Sequence, residues 1–195
     1  SVLDGLVRNG YKTLLTFNEP DSGSQANMTV AQAIQLWPQL MATGLRLGSP
    51  ATTTGAPWLD DFMTAIQKNG YRVDFLALHW YDDINDPNAI TNLRDYLTGY
   101  WNRYHLPIWL TEFSGAYFDY FPRAPTFDDN ARFARDSVLL LESLPFVERY
   151  AWFSSKVDLQ CVTYATTGLY WDAQNASVVG VAYRDTHPVV SSCGP

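Results

Sequence analysis

Cysteine is almost absent from this chain of 195 residues, which has two, Cys161 and Cys193. Their spacing fits no zinc pattern, and the choice left is a disulfide or two buried thiols. Charge is sparse too, at 17% of residues against a usual level of about 25%. The 13 Lys and Arg are outnumbered by 20 Asp and Glu, giving a net charge of -7, and no basic run occurs. That excludes a nucleic-acid surface. No apolar run approaches the ~18 residues that could span a membrane. Repeats, low-complexity segments and a signal peptide are likewise missing. The chain opens on Ser1, as expected if a leader has been removed.

Aromatic residues are plentiful at 15%, including 7 Trp and 12 Tyr, and 47% of the chain is hydrophobic. This suffices for one sizeable core, so a single domain over residues 1–195 is expected. Two glycosylation sequons, at Asn27 and Asn175, lie in polar stretches. With the two cysteines and the acidic balance, they point to a secreted or cell-wall protein. In that setting a Cys161–Cys193 disulfide would tie down the C-terminal tail.

A strand–helix rhythm runs through the chain. Strand-like runs cover 13–18, 45–49, 73–79, 108–111 and 150–153, and a helical pattern follows each of the first four. Thr29 can cap a helix with apolar residues at three- and four-residue steps, closed by Gly44 and interrupted by Pro38. A second helix is expected from Trp58 to Lys68, closing at Gly70. A third starts after Asp86-Pro87, and a fourth follows a capping box of Thr126 and Asp129. The strands lack polar alternation, as in a parallel sheet buried on both faces. The fold class is therefore α/β. Near the C-terminus, "GLYWDAQNASVVGVAYRD" reads as two strands around a turn at Asn175.

In parallel α/β folds the C-terminal strand ends form the functional face. Those ends carry Asn18-Glu19-Pro20-Asp21, Ser49-Pro50, His79-Trp80-Tyr81-Asp82, Glu112-Phe113 and Trp152-Phe153. Two glutamates, Glu19 and Glu112, each follow directly on an apolar strand. Glycoside hydrolysis uses such a pair, one carboxylic acid to protonate the leaving oxygen and one carboxylate to attack the anomeric carbon or activate water. Trp80, Tyr81, Trp152, Tyr170 and Trp171 are candidates to stack on the apolar face of a sugar ring. A single glutamate after a strand is more often a cap or loop residue, and a single histidine such as His79 a structural one. Asp82, Asp83 and Asp86 lack the spacing of a calcium loop.

Four blocks, "FNEPD", "LRLGSPATT", "FLALHWYDD" and "LPIWLTEFS", in this order and spacing, resemble glycoside hydrolase family 128. This family, also called the alkali-sensitive-linkage type of glycosyl hydrolase catalytic domain, acts on β-1,3-glucans. The resemblance covers residues 14–153. It implies a (β/α)8 TIM-type barrel, represented here by strands four to eight plus a C-terminal β-hairpin (residues 161–195 being hairpin and tail). It implies Glu19 as general acid/base and Glu112 as nucleophile of a retaining double displacement, with no metal or cofactor. Asn18 would bond the sugar 2-hydroxyl, Tyr81 or His79 would orient the nucleophile, and Trp152 would floor the reacting subsite. Glu19 would then hold a proton while Glu112 stays ionised. "SVLDGLVRNG" reads as the end of a helix preceding strand four, with Val2, Leu3, Leu6 and Val7 on one stripe. A barrel needs about 250 residues, so the resemblance also implies an incomplete barrel. A non-catalytic β-glucan-binding protein, or an inactive fragment of the enzyme, is the competing expectation.

Overall fold

A computed structural model of the chain describes residues 2–53 and 57–186. The elements follow in the order α1 (Val2–Arg8), β1 (Thr13–Leu14), α2 (Val30–Met41), β2 (Arg46–Leu47), α3 (Trp58–Asn69), β3 (Leu76–Tyr81), α4 (Ala89–Tyr104), β4 (Ile108–Ser114), α5 (Phe127–Ser143), β5 (Val147–Trp152) and α6 (Val178–Asp185), with a 3-10 turn at Val162–Tyr164 before α6. Pairing orders the strands as two sheets, β1-β2 and β3-β4-β5. The result is an α/β fold, and β1 and β2 pair in parallel with Thr13 opposite Arg46. The contacts divide the chain into two compact units. One runs to His79 and takes in His105–Thr111, and the other comprises Trp80–Tyr104 and the chain from Glu112 onward.

In the first unit, α2 starts where Thr29 accepts from the Gln32 N–H while the Gln32 side chain accepts from the Thr29 N–H. This helix buries Ala33 and Trp37. The Trp37 ring packs edge-on against Phe62 of α3 at 4.9 Å, and its N–H donates to the Arg72 carbonyl. Gly70 ends α3 in the left-handed conformation that glycine adopts freely. Beyond β2, a parallel bridge joins Gly48 to Phe75. A Cβ on Gly48 would lie 2.7 Å from the Phe75 ring, so only glycine allows this approach. The apolar stripe expected on α1 is only half covered: Leu3 and Leu6 are partly buried, whereas Val2 is 82% and Val7 45% exposed.

In the second unit, α5 opens on a capping box of Thr126 and Asp129, and its inner face buries Phe133, Ala134, Val138 and Leu141. Phe113 of β4 and Trp152 of β5 meet Phe133 at 6.5 and 6.0 Å. The expected C-terminal hairpin is replaced by a helix. Tyr170 and Ala176 form only an isolated antiparallel bridge, and Val178–Asp185 is α6. The Ser177 hydroxyl accepts from the Gly180 N–H as an N-cap and donates to the Gly168 carbonyl. Val179 and Ala182 are thereby buried, so packing overrides the strand preference of the Val-rich run. Strand positions also shift by a few residues, most at β3, expected over 73–79 and observed at Leu76–Tyr81.

Candidate functional site

Past β1 the chain keeps pairing as far as the first glutamate. Ala51 donates its N–H to the Phe17 carbonyl, and the Glu19 N–H donates to the Ala51 carbonyl at 2.7 Å. The backbone then turns at Glu19, whose φ of 41° lies in the left-handed region. Such a conformation costs a non-glycine residue about 1–3 kcal/mol and persists where surrounding bonds over-determine it. Those bonds are present. Glu19 accepts from the Ser22 N–H, Pro20 accepts from the Met28 N–H, and Asn18 accepts from the Ala26 N–H. Asp21 fixes the same turn by accepting from the Thr53 N–H at 3.1 Å and from its hydroxyl at 2.5 Å. The Glu19 side chain is 17% exposed, and its Oε1 lies 3.0 Å from Nδ1 of His79, a ring 1% exposed. A buried imidazole in that position fixes the direction of the carboxyl group. Asn18 is exposed, and its amide donates to Gln25 at 3.4 Å.

The second glutamate, Glu112 of β4, belongs to the other unit. Glu112 is partly buried, and the Tyr81 hydroxyl donates to its Oε2 at 2.8 Å. Strand alternation sorts the neighbours onto two faces. Tyr81 and Glu112 face one way. Trp80 is 2% exposed and stacks on Phe133 at 5.5 Å, while Phe113 packs against Trp152 at 5.2 Å. Trp152 is 7% exposed and donates its N–H to the Thr167 carbonyl. Neither Trp80 nor Trp152 therefore offers an open ring to a sugar, since both fill the core beneath α5. Tyr170 and Trp171 lie before α6 at 39% and 46% exposure, and Trp171 rests on Phe127 at 5.2 Å.

The rings that do surround Tyr81 are ones the sequence reading passed over. Phe118 lies 6.2 Å from it and Tyr164 6.1 Å, and Phe153 meets Tyr164 at 4.9 Å. For Phe118 the available signal was the run Tyr117-Phe118-Asp119-Tyr120-Phe121, five residues after a strand-end glutamate. The Tyr81 hydroxyl bonds Glu112, and His79 bonds Glu19.

Asp82, Asp83 and Asp86 spend their carboxylates on turn amides, accepting from the N–H groups of Asp83, Asn85 and Asn88. Asn27 is exposed with a φ of 45°. Asn175 is also exposed, and its amide donates to both carboxylate oxygens of Asp172. Cys161 precedes the 3-10 turn, and Cys193 lies outside the described residues, so the expected disulfide does as well. Among the described residues no helix is long and apolar enough to cross a membrane.

Comparison with known proteins places this arrangement in context. The family model described as "Glycosyl hydrolase catalytic core" matches residues 2–183. An endo-β-1,3-glucanase of glycoside hydrolase family 128, subgroup I, from Amycolatopsis mediterranei, solved with laminaritriose, is 46% identical with a TM-score of 0.84. That match covers 95% of this chain and 76% of the other. A subgroup II endo-β-1,3-glucanase from Sorangium cellulosum is 29% identical with a TM-score of 0.81, covering 96% of this chain and 76% of the other. Alkali-sensitive linkage protein 1 of Schizosaccharomyces pombe is 33% identical over 186 residues, or 91% of this chain. The chain spans 33% of that curated relative's length.

Proposed function

Because this chain belongs to the glycosyl hydrolase catalytic core family, and within it to glycoside hydrolase family 128, we propose that it hydrolyses β-1,3-glucan by retaining double displacement. Glu112 is the nucleophile and Glu19 the general acid/base. Glu112 attacks the anomeric carbon as the glycosidic bond breaks, and Glu19 gives its proton to the departing glucan. A water deprotonated by Glu19 then attacks the glucosyl ester and frees Glu112.

One observation carries the pairing. His79 bonds Glu19, Tyr81 bonds Glu112, and the two stand two positions apart on β3. In this reading the five strands are staves four to eight of a (β/α)8 barrel, with both carboxyls at the C-terminal strand ends where such barrels do their chemistry. The left-handed Glu19 supports the same assignment, since strain of this kind gathers at functional sites. Asn18, beside Glu19, is assigned to the sugar 2-hydroxyl. The relatives' laminari-oligosaccharides favour a β-1,3 linkage over other glucans, and the partner is the polysaccharide itself. Secretion and use of the Asn27 and Asn175 sequons belong to the same proposal.

The assay is the release of reducing ends from laminarin. The unchanged chain releases them, and Glu112→Ala and Glu19→Gln each lower the rate by about a hundredfold or more. Full activity in either variant overturns the assignment.

A further inference from the structure

The loop leaving β4 is unusually rich in rings, reading Ala116-Tyr117-Phe118-Asp119-Tyr120-Phe121. Phe118 meets Tyr81 edge-on, and Tyr120 stacks on Phe118 with centroids 5.7 Å apart and planes 9° apart. Phe121 braces both rings edge-on, at 5.7 Å from Phe118 and 4.7 Å from Tyr120. Even so, Tyr120 remains 77% exposed. Its ring is supported by Phe118 and Phe121 and most of it is open to water.

The loop beneath these rings is fastened at several points. Asn130, fully buried, accepts from the Gly115 N–H at 3.0 Å and donates to the Gly115 carbonyl at 3.3 Å. A Cβ on Gly115 would lie 2.2 Å from Ile84, so the loop can lie this close only with glycine there. Tyr117 donates its N–H to the Thr163 carbonyl, and Phe121 closes a turn onto the Phe118 carbonyl. Arg123 bonds Asp129 at 2.8 Å. An anchored loop holding a backed, solvent-facing ring is arranged to receive a flat apolar surface. The sequence of rings begins at Tyr81, the residue that holds Glu112.

We propose that Phe118 and Tyr120 form a glucan-binding subsite adjoining the Tyr81–Glu112 pair, in which a glucosyl ring stacks its C–H face on Tyr120. The proposal rests on the reading of the chain as a β-1,3-glucan hydrolase. It commits to a sugar unit of the same substrate chain because the ring row is continuous with the nucleophile's own hydrogen-bond partner. Trp80 and Trp152, the sequence's candidates for stacking, are engaged in the core, which leaves this role to exposed rings.

Steady-state kinetics on laminarihexaose test the subsite with the full chain. Tyr120→Ala raises KM by about tenfold, the loss of one good aromatic contact, with a much smaller change in kcat. Tyr120→Phe and Tyr120→Trp keep KM within about twofold of the unchanged chain, because each preserves the ring; the exposed position makes all three variants compatible with the fold. Equal KM for the unchanged chain and Tyr120→Ala, with hydrolysis intact, overturns the subsite alone. A chain that releases no product from laminarihexaose overturns the functional reading, and the subsite with it.

Discussion

Two glutamates of one family-128 chain are held in different ways, and the difference matches the two tasks assigned to them. Glu19 is set by its backbone, a left-handed residue locked by bonds on either side, with a buried imidazole on its carboxyl. Glu112 is carried by its strand, and the Tyr81 phenol O–H donates to its carboxylate. Removing that O–H leaves the strand in place and takes away one bond that holds the carboxylate's direction. Tyr81→Phe therefore lowers kcat on laminarin by about tenfold to a hundredfold with KM changed far less, the usual scale for a misplaced reacting group. Parallel measurement of kcat and KM checks this, and an unchanged kcat contradicts the role given to Tyr81. Both glutamates stood out as candidates because a carboxylate ending an apolar run is chemically conspicuous. The φ of Glu19 was not, since nothing in "NEPD" demands a left-handed glutamate; it follows from the pairing of Phe17 and Glu19 with Ala51, more than thirty residues away.

Among the elements, α5 shows how local signals succeed. Thr126 and Asp129 make their capping box with neighbours three residues apart, so the sequence alone carries it. Asp129 does more than cap. The Arg123 guanidinium, its largest influence, holds the carboxyl well below the usual carboxylate range, helped by Thr126 and Arg132 and opposed by burial. A depressed folded value stabilises the fold at all pH above the unfolded value of about 3.9, and that contribution is lost as pH falls through the folded value. Asp129→Asn accordingly lowers the neutral-pH Tm by about 2–4 °C, corresponding to about 1 kcal/mol. The deficit narrows as pH drops below about 4, and thermal melts across pH read it directly. A deficit that widens in acid contradicts the sign of this argument.

Other elements were illegible for physical reasons. α6 hides in a run whose valines favour strands, and it becomes a helix because Ser177 caps it and its inner face is buried. A Cβ on Gly180 would lie 2.0 Å from the Leu169 carbonyl oxygen, so glycine there permits the close approach. The faces of Trp80 and Trp152 were unreadable for a different reason. A strand apolar on both sides gives no alternation to tell core from site, and only register decides it.

On the scale of the whole molecule, the chain matches its family from residue 2 to residue 183 and 76% of the length of a solved relative. Its composition fits an uncharged polymeric substrate. The chain carries few cations and a net charge of -7, and Tyr120, the most exposed ring among the described residues, lies on the loop that follows Glu112. The central claim is that Glu112 attacks the sugar while Glu19 moves the proton. Its most direct test is incubation with a 2-deoxy-2-fluoro-β-laminaribiosyl fluoride, which forms the glycosyl ester and releases it slowly, followed by peptide mapping by mass spectrometry. The account predicts one fluoroglycosyl group per chain, attached to Glu112; a label on Glu19, or on any other residue, contradicts it.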